Sequence, residues 1–175
     1  PYIFILLVFT CPIIFFCVWV FVGMITILNK KIKGVVESKY IGNRIIQYFD
    51  FKYNNKNIRC VNIHLPPGDK EKNKIRRLKD IMEIVSFCNS KDNVIILGDF
   101  NDTRKSKMYK YLKKSGYKNA VYKAVGEELK TFPSNKPEKC IDFVMIKGDI
   151  KVNNASLFGS INASDHKGIK VTLDV

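Results

Sequence analysis

Four short segments carry the residue types that hydrolytic chemistry needs. They are Asn62-Ile63-His64-Leu65, Gly98-Asp99-Phe100-Asn101, Ile141-Asp142-Phe143 and Ser164-Asp165-His166. The chain has only 2 histidines, and both fall in these segments. An imidazole held by a carboxylate keeps the tautomer that a general base requires. His166 directly follows Asp165, and Asp142 lies on a neighbouring predicted strand. Asp99 and Asn101 alternate around Phe100, so in an extended chain both point to one face and the phenyl ring to the other. A carboxylate and an amide side by side suit a water or metal ion on one hand and a phosphate oxygen on the other. Each segment alone also has an ordinary explanation. Asp99-Phe100-Asn101 could be a turn after a strand, Asp142 a buried structural carboxylate, and a lone histidine is more often a packing residue than a catalyst.

For these groups to act together, regular elements must carry them to one place. Arg44–Lys52 is rich in β-branched and aromatic residues and reads as a strand, closed by the turn cluster Asn54–Asn57. Ile58–Leu65 returns, with Val61, Ile63 and Leu65 on one side. Lys72–Asn89 has helical spacing, with Ile75, Leu78, Ile81, Met82, Val85 and Cys88 as the apolar face. Val94–Leu97 is a continuous apolar run, as at the centre of a sheet, and it leads straight into Gly98-Asp99. Ser106–Lys114 is a short amphipathic helix. Tyr117–Glu128 and Thr131–Lys139 read mostly as loop. Cys140–Ile146, Lys151–Phe158 and Gly168–Leu173 read as strands. The four chemical segments thus sit at the C-terminal ends of apolar strands or in the loops just after them, where a sheet presents groups to a shared crevice. Strands arriving in pairs between helices predict a mixed α/β (α+β) sandwich, not a regular βαβ series.

In this order and spacing the segments resemble the second half of the endonuclease/exonuclease/phosphatase family, whose members are DNase I-like. ILGDFND, then IDFVMI, then SDH carry the resemblance, which covers about Arg59 to Leu173. It implies a partial DNase I-like α/β sandwich and a Mg²⁺-dependent phosphodiesterase or phosphomonoesterase, with Mn²⁺ as the other candidate metal. His166 then resembles the base, Asp142 the carboxylate that orients it, and Asp99 the carboxylate near the attacking water. Asn101 resembles the amide that holds a phosphate oxygen, and His64 a second histidine of the DNase I-like and sphingomyelinase-like branches. Asp165, with Asp99, resembles a metal-site carboxylate. The implied substrate is a phosphoester: nucleic acid, phospholipid or inositol phosphate. The family's first half is expected to supply a strand-one asparagine and a metal-binding glutamate. Between Asn29 and Arg44 only Glu37 is acidic, a faint mimic of that glutamate.

The other distinctive feature is the N-terminus. Pro1–Asn29 contains no Lys, Arg, Asp or Glu. An uncharged apolar run this long predicts a transmembrane helix, which needs about 20 such residues. A signal peptide would need a basic start, a short apolar core and a cleavage site, none of which is visible. The predicted organisation is therefore a transmembrane helix at 1–29, a linker and first strands at 30–56, and a C-terminal-half family domain at 57–175. Lys30, Lys31 and Lys33 after the run place the later domain on the cytoplasmic side of a single-pass membrane protein. The first residue is not methionine, which favours a fragment with a missing N-terminal half as partner.

The formal net charge of +14 suits anionic partners or reflects a lysine-rich composition throughout. The 5 cysteines show neither a CxxC pair nor a metal-like spacing and read as small buried hydrophobes. The leading expectation is a membrane-anchored metal-dependent phosphoester hydrolase. The alternative is a catalytically inactive basic membrane protein that binds anionic surfaces or nucleic acid.

Overall fold

A computed structural model of the chain describes residues 3–6, 34–159, 162 and 164–175. A hairpin starts the larger sheet. Strands β3 (Arg44–Tyr53) and β4 (Lys56–His64) are antiparallel. Asn54 and Asn55 between them adopt φ of +47° and +63°. A two-residue hairpin turn needs that left-handed backbone, and asparagine tolerates it. Strand β4 then crosses through helix α1 (Glu71–Cys88) to β5 (Asn93–Asp99), which lies parallel to β4. A helical crossover is what two parallel neighbours require.

Strands β2 (Glu37–Ile41), β6 (Lys118–Asn119) and β7 (Asp142–Lys147) complete a sheet of order β2-β3-β4-β5-β7-β6. A second sheet has the order β1-β9-β8, from Ile3–Leu6, Gly168–Asp174 and Lys151–Phe158.

Central strands of the larger sheet are buried on both faces, and their alternation builds two cores. Val61, Ile63, Val94 and Ile96 pack with Ile81, Ile84 and Val85 of α1 and with Met108 and Leu112 of α2 (Lys107–Lys114). Ile58, Cys60, Ile95 and Leu97 face the other way, against Ile169, Val171 and Leu173 of the second sheet. The period-2 geometry of a strand forces this division. The three described cysteines, Cys60, Cys88 and Cys140, are free and buried in these layers, as expected from their apolar surroundings.

Three expectations need correction. The buried face of α1 is Arg77, Asp80, Ile81, Ile84, Val85 and Cys88, whereas Ile75 and Met82 are exposed. The helix is turned because Arg77 points inward to ion-pair with Asp102, which a hydrophobicity pattern does not foresee. Second, the stretch from Tyr117 holds β6 and a helix α3 (Ala120–Val125) capped by Asn119, whose side chain accepts from the Tyr122 amide.

Third, the described start of the transmembrane helix expected at 1–29 is not helical. Most of it lies outside the described residues. Its described part, Ile3–Leu6, is strand β1, paired antiparallel with β9 from Ile3↔Leu173 to Leu6↔Lys170. Among the described residues no helix is long and apolar enough to cross a membrane. A strand buried in a sandwich is as uncharged as a membrane helix, so composition does not separate the two. The first strands expected within 30–56 are β2 and β3, and they belong to the same sheet as β4 and β5.

Candidate active site

The registers of three adjacent strands bring the predicted residues into line. His64, the last residue of β4, is paired with Asp99, the last residue of β5. Asp99 is paired in turn with Asp142 on β7. Because β7 runs antiparallel to β5, Asp142 is the first residue of its strand, not one near its end as expected. Both ends of the comparison still meet at one edge of the sheet. Beyond Asp99 the chain stays tethered. Leu65 N–H donates to the Asp99 carbonyl at 2.9 Å, and Phe100 N–H to the Ile141 carbonyl at 2.9 Å.

Two backbone features let β5 end this way. Gly98 has φ +134°, and a Cβ there would run into the carbonyl of Ile63 on β4. Only glycine allows strands this close one residue before Asp99. Asn101 adopts the left-handed region at φ +50°, turning the chain back over its own strand end. Phe100 is driven into the core against Phe143, edge to face at 5.3 Å between centroids, so Asp99 and Asn101 are left at the site edge.

The fourth element comes from the other sheet. His166, just before β9, directs Nδ1 at Asp142 Oδ2, 2.8 Å away. An ionised carboxylate can only accept, so Nδ1 carries the hydrogen and Nε2 keeps its lone pair. Burial draws the His166 pKa down. The hydrogen bond and charge of Asp142 outweigh it, helped by Asp99 and Asp165, and the imidazole is held above its ordinary value. His64 is shifted oppositely, lowered first by burial and then by the positive charge of Arg44 and His166. Its Nε2 lies 3.6 Å from Asp99 Oδ2, beyond hydrogen-bond length. Asp99 is pushed up to about 7, first by burial and then by repulsion from Asp142.

Asn101 bonds within the protein. Its Nδ2 donates to the Leu65 carbonyl at 2.9 Å and to Asp99 Oδ2 at 3.0 Å, while its backbone N–H donates to Asp99 Oδ1 at 2.7 Å. Both amide hydrogens are thus taken by protein oxygens, and the side chain orients Asp99. Asp165 is exposed. It acts on Asp99 and His166 through charge and stands outside the compact group of potential metal ligands. That group, among the described residues, is Asp99, Asp142 and His166, with one ligand atom from each lying within 4.8 Å of the others. Glu37 is exposed on the edge strand β2 and accepts from the Tyr48 hydroxyl at 3.0 Å, far along the sheet from this group.

A divalent cation fits this donor set. Ligands about 2.0–2.6 Å from an ion lie no more than roughly twice that apart, which matches a 4.8 Å span. Two close carboxylates, one raised first by burial and then by repulsion from the other, form a site whose charge a cation would balance. Asp99 and Asp142 would hold it, with the remaining positions left to water and substrate oxygens, as Mg²⁺ prefers.

Two supports of the site had no simple sequence signal. Arg77, fully buried, donates to Asp102 Oδ2 from Nε at 3.0 Å and Nη2 at 2.8 Å. Its Nη1 donates to the carbonyls of Pro66 and Gly68 at 2.9 and 2.8 Å. One guanidinium therefore joins the loop after His64 to the loop after Asn101. The second support is Thr131–Ser134, which packs along the His166 loop.

The sequence profile of the Endonuclease/Exonuclease/phosphatase family matches residues 7–166. The chain belongs to this family. The match begins inside the uncharged run, so the family domain is not confined to residues 57–175. No curated protein matches the chain.

Solved structures of the same fold are similar to it at low identity. An endonuclease/exonuclease/phosphatase from Bacteroides vulgatus has a TM-score of 0.63 and 23% identity, covering 75% of this chain and 56% of its own. Humanized TDP2 of D. rerio has a TM-score of 0.65 and 13% identity, over 82% of this chain and 68% of its own. The mannosyl-6-phosphatase Bt3783 of Bacteroides thetaiotaomicron has a TM-score of 0.57 and 19% identity, over 75% and 57%. This chain thus spans little more than half the length of two of these family proteins.

Proposed function

We propose that this chain is a divalent-metal-dependent phosphoester hydrolase. The observation that carries the reading is the register of β4, β5 and β7, which lines up His64, Asp99 and Asp142 while His166 reaches Asp142 at 2.8 Å from the opposite sheet. In this reading His166 Nε2 takes a proton from the attacking water, and Asp142 stabilises the imidazolium that results. Asp99, held by two bonds from Asn101, orients that water. Neutral His64 donates to a phosphoryl oxygen. The bound cation would neutralise charge on the phosphoryl group. Asp165 adds negative potential at the rim.

The substrate class is a phosphate mono- or diester. Family membership and the resemblance to a mannosyl-6-phosphatase favour testing sugar phosphates beside DNA, phospholipid and inositol phosphate. Purified chain should turn over at least one of these with Mg²⁺ or Mn²⁺ and lose that activity in EDTA. His166→Ala should remove it. Equal activity of a folded His166→Ala variant and the parent would end the assignment.

A further inference from the structure

The base needs more than one hydrogen bond to be aimed. The bond from His166 Nδ1 to Asp142 fixes one point of the imidazole. One soft bond still leaves the ring some libration about its terminal torsion, which is broad for histidine. A contact on the ring face is what removes this freedom. Phe132 supplies one: its ring centroid lies 4.8 Å from that of His166, with the planes inclined at 48°.

Phe132 is itself anchored. Its N–H donates to the Lys139 carbonyl at 3.0 Å, and its carbonyl accepts from Lys139 N–H at 2.8 Å. The residues around it grip the histidine loop on both sides. The Thr131 carbonyl accepts from Lys167 N–H at 2.8 Å, after His166 in sequence, and Ser134 N–H donates to the Asp165 carbonyl at 2.7 Å, before it. Ser134 Oγ adds a bond to the Ser164 carbonyl at 2.6 Å. Ser134 is buried, so this strap is part of the fold and not a surface contact.

We propose that Phe132 is a positioning residue, whose ring, strapped against the 164–167 loop, sets the plane of the His166 imidazole. The inference rests on His166 being the base. It adds a residue whose ring touches the base. Ordinary packing would only stabilise the fold. Positioning predicts that loss of the ring face lowers turnover without weakening substrate binding.

The chain has 2 histidines, so the metal-free protein gives two imidazole Hε1–Cε1 signals by NMR. His64→Gln assigns them. In Phe132→Leu, which keeps apolar bulk, the His166 signal should broaden, over and above the shift that losing a ring current brings, while that of His64 stays sharp. On the best phosphoester substrate, kcat should fall by about tenfold to a hundredfold, as for a misaligned catalytic group, with KM unchanged. Phe132→Tyr, which keeps the ring, should restore both.

A His166 signal that shifts without broadening, an unchanged kcat, or a loss carried by KM would overturn the proposal; the last would make Phe132 a wall of the substrate site. If Phe132→Leu does not fold, Ser134→Ala decides by the same two readouts, because it loosens the strap without touching the ring. If the parent hydrolyses no phosphoester, the hydrolase reading fails, and the NMR comparison still decides whether Phe132 holds the ring.

Discussion

Replacing Arg77 by methionine tests how far the catalytic edge depends on a buried charge. The side chain is 0% exposed, and Asp102 opposite it keeps 14% of its side-chain surface. The substitution keeps the volume but removes the bonds to Asp102, Pro66 and Gly68. Breaking a buried ion pair by deleting one partner costs about 3–5 kcal/mol, because the remaining charge is stranded. Water can reach part of Asp102, so the lower end applies, about 3 kcal/mol. With a urea slope of about 2 kcal/mol per molar, the unfolding midpoint should drop by roughly 1.5 M at unchanged slope. Arg77→Lys should recover little, since an ammonium cannot match the forked contacts. Removing the stranded charge as well, in Arg77→Met with Asp102→Asn, should recover part of the loss. Phosphoester turnover in the single variant should fall further than stability alone accounts for, because the two freed loops follow His64 and Asn101. A cost below about 1 kcal/mol for Arg77→Met would refute the view that this guanidinium holds the loops.

Other perturbations report on the strand ends and on the far edge of the sheet. Gly98→Ala should destabilise by about 3 kcal/mol or prevent folding, because it combines a left-handed φ with a clash against the Ile63 carbonyl; a thermal melt checks it, and an unchanged melting temperature contradicts the close approach. Asp142→Asn should leave the fold intact and reduce kcat by about a hundredfold or more, since an amide no longer fixes the tautomer or stabilises the imidazolium. The Asp50 carboxylate is lowered from its ordinary 3.8, chiefly by its hydrogen bond from Arg59. A depressed carboxylate adds stability above its unfolded pKa and loses it as pH falls through the folded value. Asp50→Asn should therefore cost about 1 kcal/mol or less at neutral pH, given its partial exposure, and the gap from the parent should close below pH 3.8. A gap that persists in acid would assign the effect to packing.

What could be read from the amino-acid order follows from which interactions are local. Strands β3, β4, β5, β8 and β9 and helix α1 were visible because their alternation or helical spacing is short-range. The convergence of His64, Asp99, Asp142 and His166 was visible because each sits where an apolar run stops. The inward turn of Arg77 was not, since its partner lies 25 residues away on another loop. Nor was the strap on His166, whose bonds are mainly between backbone groups and so leave no mark on residue type. The described start of the uncharged N-terminal run, expected as helix, is strand β1 for a related reason. Composition reports how little water a segment meets, and β1 pairs with β9 in a sandwich where bilayer and core look alike.

The same distinction separates the secure part of the site from the part that tunes it. Asp99 and Asp142 are placed by ladder registers, and any sequence that keeps β5 and β7 buried on both faces keeps those two carboxylates adjacent. The imidazole has no such guarantee. It comes from a loop of the other sheet, and its aim depends on one carboxylate, one aromatic face and backbone bonds from Thr131 and Ser134. Mutations in the sheet should therefore act through stability, and mutations in the strap through turnover. A survey of folded variants in which strap substitutions lowered melting temperature and left kcat alone would break that division.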